Sequence, residues 1–178
     1  MKVIARAAVG IGNIDVNYAT EKGILVINTP GKNTNSAAEL TVGLLISSIR
    51  KIIPAHHHMC DLKWNRYAFT GTELYGKSLG IIGLGNVGHR VARYANAFEM
   101  EVLAYDPYIA EEVFERHHAK KCTWDELISS ADVISLHVPK TEETTGIIGS
   151  EEFSKMKFGV LILNTARGGV IQEKPLLE

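Results

Sequence analysis

Along the chain, short apolar runs alternate with segments whose apolar positions recur every three to four residues. The runs Lys2–Val9, Ile24–Asn28, Leu79–Gly83, Glu101–Tyr105, Val133–Val138 and Val160–Asn164 read as strands, with Lys120–Thr123 as a shorter one. Several are apolar almost throughout, as strands covered on both faces are. Strands that alternate with helices in this way predict a parallel sheet joined by crossover helices. Asp15 is placed to cap a helix over Val16–Lys22, with Gly23 just past its end. Asn86–Phe98 carries Val87, Val91, Tyr94, Ala95 and Phe98 on one helical face. Thr123-Trp124-Asp125-Glu126 and Ser36-Ala37-Ala38-Glu39 both have the form of a capping box. The second opens a long helix through about Ile53. Pro54 breaks it, and Ala55–Leu62 forms a second short helix. Ala37, Ala38 and Gly43 give the long helix a small-residue face suited to close packing against another copy. Lys63–Lys77, with mixed polarity and several aromatics, reads as a packed loop.

The pattern divides the chain into three parts. Residues 1–30 form a strand–helix–strand piece too small to bury a core, 31–77 are linking helices and a loop, and 78–178 make up most of a doubly wound α/β domain. The length of 178 residues suits one domain plus part of another. A hydrophobic fraction of 46% excludes a disordered chain, and a net charge of −1 argues against a nucleic-acid binder. No apolar run approaches the roughly 20 residues of a membrane span, and no signal peptide is visible. Two cysteines, Cys60 and Cys122, are too few for a disulfide scaffold and suit a cytoplasmic protein.

The sharpest chemistry lies in Gly83-Leu84-Gly85-Asn86-Val87-Gly88. The motif follows a predicted strand and opens an amphipathic helix, and an acidic residue, Asp106, closes the next strand 18 residues after Gly88. Gly83 permits the tight turn, Gly85 admits a pyrophosphate against the backbone, and Gly88 lets helix and strand pack closely. The amides of Asn86 and Val87 at the helix start then face the phosphates. Asp106 accepts hydrogen bonds from ribose hydroxyls and repels a 2′-phosphate. This predicts a Rossmann domain that binds NAD in preference to NADP.

Asn164-Thr165-Ala166-Arg167-Gly168-Gly169 follows the last strand, so Arg167 emerges on the same sheet edge as the glycine turn. A guanidinium there can clamp a carboxylate bidentately and stabilise a developing alkoxide, although spacing alone equally allows an exposed turn arginine. His137 at the end of another strand reads more readily as a hydrogen-bonded structural residue than as a base. His56, His57 and His58 point about 100° apart on a helix and cannot converge on one ion, so no metal is expected.

Taken together, Arg6–Asp15, Gly23–Glu39, Glu73–Gly88, Tyr105–Pro107, His137–Ile148 and Asn164–Gly169 resemble the D-isomer-specific 2-hydroxyacid dehydrogenases, most strongly their 3-phosphoglycerate branch. The resemblance covers nearly the whole chain in the family's order. It implies an NAD-dependent oxidoreductase that moves a hydride between NAD and a D-2-hydroxy acid. The active site would lie between the Rossmann domain and a flavodoxin-like substrate domain, of which the first residues are a part. By the resemblance Gly83, Gly85, Asn86, Val87 and Gly88 hold the pyrophosphate, Asp106 the ribose, and Val138 and Pro139 flank the adenine. Thr144 lies within reach of the cofactor, and Thr165 and Ala166 lie near the nicotinamide. Val9 and Gly10 offer backbone contacts to the substrate, and Arg167 is the catalytic arginine.

Two departures from the family stand out. Gly12 replaces the usual Asp, which predicts a looser Val9–Gly10 loop. The family's acid–base Glu and His follow the arginine at a greater distance than the 11 residues that follow Arg167 here, so an internal fragment with little activity is expected. Cations for a phosphorylated substrate are expected largely from a segment ahead of Lys2. The partners expected are a small 2-hydroxy or 2-oxo acid and a second copy of the chain in a homodimer. An NAD-sensing, corepressor-like regulator and a non-catalytic NAD module are the alternative readings.

Overall fold

The computed structural model describes residues 1–177. The first piece is β1 (Val3–Ala5), α1 (Val16–Glu21) and β2 (Leu25–Ile27), with β1 and β2 paired in parallel as a two-stranded sheet. Asp15 caps α1 as predicted, its carboxylate accepting the Tyr18 N–H at 2.9 Å. Both strands are shorter than the apolar runs suggested. Of residues 1–33 only Ala19 is fully buried.

The helix α2 (Thr34–Ile49) begins two residues before the predicted start, with Asn33 as its N-cap and no side-chain cap bond. The expected Ser36 capping box is therefore absent. The Thr34 hydroxyl instead bonds the Gly31 carbonyl at 2.7 Å and fixes the entry of the chain. The break after α2 also comes earlier than Pro54. Lys51 takes a left-handed conformation (φ 54°), and Pro54 falls in the first turn of α3 (Ile52–Cys60), where no backbone donor is required of it. The loop that follows contains one turn of 3-10 helix at Arg66–Phe69, and its Trp64, Tyr67 and Tyr75 are exposed rather than packed.

From Ser78 the chain builds a parallel sheet: β3 (Ser78–Ile82), β4 (Glu101–Tyr105), β5 (Lys120–Lys121), β6 (Val133–Leu136) and β7 (Leu161–Asn164). The strand order is β5-β4-β3-β6-β7, and every pairing is parallel. This is the Rossmann arrangement, with its reversal of direction between β3 and β6. The helices α4 (Gly88–Ala97), α5 (Glu111–Arg116), α6 (Trp124–Ser130) and α7 (Ser150–Lys155) make the crossovers, and α8 (Glu173–Leu177) follows the last strand. Thr123 and Glu126 form the predicted capping box at α6.

One apolar layer joins Leu79, Ile81, Val91, Ala92, Ala95 and Phe114, and Ala38 and Leu45 of α2 belong to it. The other joins Ile82, Leu127, Ile128, Ile134 and Ile148. Ala38 is therefore turned into the molecule's own core, not toward another copy, while Gly43 and the neighbouring Leu40 and Leu44 remain exposed. No helix of the described residues is long and apolar enough to cross a membrane.

Candidate active site

The glycine turn between β3 and α4 is shaped by contacts that leave no room for side chains. A Cβ on Gly88 would lie 2.1 Å from the Gly83 carbonyl oxygen, and one on Gly83, whose φ is +91°, would lie 2.9 Å from Val138 Cγ1. A Cβ on Gly85 would meet nothing within 4 Å, so this position opens onto free space where a ligand can approach. The start of α4, with Val87 as N-cap, has no side-chain cap bond. Among the described residues, the Asn86 and Val87 amides find no acceptor.

The carbonyls of the same turn are held back by side chains. His89 Nδ1 bonds the Gly85 oxygen at 2.8 Å, and Arg90 Nη1 donates to the Asn86 oxygen at 2.9 Å. Arg90 Nη1 also reaches His89 Nε2 at 2.8 Å, so that nitrogen accepts and Nδ1 carries the proton. Burial lowers the His89 pKa, which keeps the ring in this neutral form. With carbonyls tied down and amides free, the turn presents donors and a positive helix end to an anion.

Asp106, at the end of β4, receives the Leu84 N–H on Oδ2 and the Tyr108 N–H on Oδ1, each at 3.0 Å. The aspartate thereby braces the glycine turn as well as facing the space beside it. That space is a cavity of about 770 Å³ whose lining includes Gly83, Gly85, Asp106, Val138, Pro139 and Thr144. It lies where the strand order reverses, between apolar walls and a carboxylate edge. The chemistry and the open Gly85 position fit an adenosine with its pyrophosphate. His137 borders the cavity with its Nε2 2.9 Å from the Ser135 hydroxyl, and burial pushes its pKa down to about 4. It is a neutral, hydrogen-bonded wall residue at physiological pH.

A second cavity of about 690 Å³ lies at the carboxyl ends of β1 and β2 and is closed by the loop after β7. Val9, Gly10 and Arg167 line it, as do Arg6 and Lys32. Arg167 approaches so closely that a Cβ on Gly10 would lie 3.1 Å from Nη2. Asn164 shapes the arginine loop: its amide donates to the Arg167 carbonyl at 2.9 Å, and its oxygen accepts the Ala166 N–H at 3.1 Å. Gly12 leaves the opposite loop anchored, because Asn28 Nδ2 donates to the Val9 carbonyl at 2.8 Å and the Thr29 N–H to the Ala8 carbonyl at 3.1 Å. Arg6 donates to the Asn13 side chain, while its buried Nε has no partner.

Sequence reasoning assigned no role to Arg6 or Lys32 and expected the cations from elsewhere. Arg6 follows directly on β1, and that placement at a strand's carboxyl end was the available signal. Thr165 and Ala166 fall outside both cavities. The Thr165 hydroxyl meets that of Thr41 in α2 at 2.7 Å, a contact 124 positions apart in sequence that no local pattern announces. Among the described residues no three His, Cys, Asp or Glu converge as a metal site.

Residues 42–178 match the family model of the D-isomer specific 2-hydroxyacid dehydrogenase NAD-binding domain. The chain belongs to this family. It is 49% identical over 178 residues to the D-3-phosphoglycerate dehydrogenase of Archaeoglobus fulgidus and 48% identical to the hydroxypyruvate reductase of Thermotoga maritima. All of the chain is matched in both cases, but it spans only 34% of the first relative's length and 57% of the second's. Among solved structures, the D-lactate dehydrogenase of Aquifex aeolicus, in complex with NAD and lactic acid, superposes on it with a TM-score of 0.88 at 37% identity, covering 99% of this chain and 53% of that one. The five-stranded sheet is thus the NAD-binding domain of the 2-hydroxyacid dehydrogenase family.

Proposed function

We propose that this chain supplies the NAD cradle and the acid-binding arginine of an NAD-dependent D-2-hydroxyacid dehydrogenase, and that its substrate is a phosphorylated acid of the 3-phosphoglycerate type. The observation that carries the substrate reading is the convergence of Arg6, Lys32 and Arg167 on one cavity. Three cations exceed what a single carboxylate needs, and they suit a carboxylate with a phosphate. The name of the Archaeoglobus relative supports the same reading. NAD, when bound, supplies the hydride acceptor. Arg167 would hold the substrate carboxylate and polarise the C2 oxygen, Gly10 would let that guanidinium come close, and Asp106 would fix the ribose. Phosphate recognition would fall to Arg6 and Lys32.

Among the described residues lining this cavity there is no carboxylate and no imidazole. General acid–base groups contribute about 10²–10⁴-fold to such reactions. The chain alone is therefore expected to bind NAD and 3-phosphoglycerate while forming little NADH, and spectrophotometric assay checks this. Titration calorimetry on the NAD-loaded chain tests the substrate. 3-Phosphoglycerate is expected to bind at least about tenfold tighter than D-glycerate, in line with one added charge-assisted hydrogen bond, and Arg6→Gln to erase most of that difference. Equal affinity for the two acids overturns the phosphate assignment.

The same reading includes a homodimer. Leu40 and Leu44 of α2, Ile52, Ile53 and Met59 of α3, and Trp64 and Tyr67 beyond them are all exposed, a collection of large apolar side chains that favours association. Light scattering across a dilution series is expected to show a dimer, and a monomer at every concentration removes this part of the proposal.

A further inference from the structure

The adenosine cavity carries more negative charge than holding a ribose requires. Glu142 and Glu143, from the loop after β6, line it together with Asp106. Among the described residues none of these three carboxylates is paired with a cation. Lys140 of the same loop lies beside Gly169, where a Cβ would come within 2.9 Å of its Nζ.

Glu143 has a side-chain partner across the cavity. The Tyr108 hydroxyl donates to its carboxylate, joining the segment after β4 to the segment after β6. The backbone N–H of the same tyrosine donates to Asp106 Oδ1 at 3.0 Å. One residue therefore ties the carboxylate at the end of β4 to a second carboxylate on the facing lip. The loop that bears Glu143 is stiffened from within. Thr144 Oγ1 donates to the Pro139 carbonyl at 2.5 Å and accepts the Thr141 N–H at 2.8 Å, and the Thr145 hydroxyl donates to the Thr141 carbonyl at 2.5 Å. Bonding to Glu143 also raises the phenol's pKa, so Tyr108 remains the donor.

We infer that the Tyr108–Glu143 bridge is a second cofactor-selecting element, which holds Glu143 at the rim of the adenosine cavity so that its charge, added to that of Asp106, excludes a dinucleotide bearing a 2′-phosphate. The inference rests on the reading of this cavity as the NAD adenosine site. Its physical basis is repulsion between this carboxylate and a phosphate carrying up to two charges at the cavity mouth. Glu143 is exposed, so the repulsion is that of a surface pair, which at short range and low salt matters by several-fold. It follows that Asp106 does not act alone, and that changing it leaves a repulsive carboxylate behind.

The test is calorimetric titration of the whole chain with NAD and with NADP, for the unaltered protein, Asp106→Asn, Glu143→Gln, Tyr108→Phe and the Asp106→Asn/Glu143→Gln double variant. Glu143→Gln is expected to raise the NADP-to-NAD affinity ratio about tenfold. Tyr108→Phe should shift it in the same direction by less, because the carboxylate remains but is released. The double variant should exceed either single one, and the gains should shrink at high salt. A ratio unmoved by Glu143→Gln, or NAD and NADP affinities changed by equal factors, makes the bridge purely structural and overturns the inference. If the unaltered chain binds neither cofactor, the cavity assignment itself fails, an outcome distinct from NAD binding with an unmoved ratio.

Discussion

Gly88→Ala is expected to abolish useful NAD binding and to lower the melting temperature of the chain. The new Cβ would lie 2.1 Å from the Gly83 carbonyl oxygen, 3.1 Å from the Gly83 carbonyl carbon and 3.3 Å from Ile81 Cγ2. Two of these neighbours are backbone in a tight turn and cannot swing aside. Relief requires α4 to move away from β3, and Val91, Ala92 and Ala95 then lose their packing against the sheet. Overpacking of this kind costs about 1–3 kcal/mol. The same movement carries the free amides of Asn86 and Val87 away from the phosphates, and a loss of about a hundredfold or more in affinity is expected, near 3 kcal/mol. Gly85→Ala separates the two effects. Its Cβ meets nothing in the protein, so stability should hold while NAD affinity falls because the methyl occupies the approach of the ligand. Calorimetry and thermal melts on both variants check this, and near-normal NAD affinity in Gly88→Ala would show that the turn tolerates displacement.

The second large effect is acid destabilisation through His137. Burial holds its pKa at about 4, against the ordinary histidine value of about 6.5. The unfolded chain therefore takes up this proton first as the pH drops. The stabilising contribution is fully present above about pH 6.5 and is lost progressively as the pH falls toward 4. At 1.36 kcal/mol per pKa unit, the whole loss is about 3 kcal/mol. His89 and His117 are lowered in the same direction, so the total slope is steeper than that of His137 alone. Thermal melts between pH 7 and 4.5 should show stability falling, and His137→Gln, which keeps a partner for Ser135, should flatten the fall. Parallel pH curves for the two proteins would assign the slope elsewhere.

The glycine turn, Asp106 and the five strands of the parallel sheet were legible in the sequence because each depends on local chemistry. Strand pattern, turn glycines and an acidic residue at a fixed distance all act within about 30 residues of one another. The Thr123 capping box is equally local, and it forms as written. Ser36-Ala37-Ala38-Glu39 has the same form and fails, because Thr34 and Gly31 settle the helix start two residues earlier. That choice depends on where α2 packs. Ala38 shows the limit most plainly, since a small residue reads alike whether it faces its own core or another chain. The cation cluster was hidden for a related reason. Arg6 and Arg167 stand 161 positions apart, and only the close approach of the first piece to the loop after β7 brings them to one cavity. The Tyr108–Glu143 bridge likewise depends on two loops meeting, and neither segment signals the other.

The two walls of the cavity that Arg6 and Arg167 line are covered to different depths. Arg167 hangs from β7, in a sheet backed by two apolar layers, whereas Arg6 hangs from a two-stranded sheet whose Val3, Leu25 and Ile27 are largely exposed. A pair of strands with so little covering them opens readily, while the fully buried strands β3 and β6 of the sheet that holds β7 open only when the whole sheet does. In hydrogen exchange the Arg6 and Leu25 amides, which bond to Ile27 and Lys2, should trade their protons early, and those of Ile81 and Ile134 last. A ligand that clasped both arginines of this chain at once would slow exchange at the Arg6 and Leu25 amides.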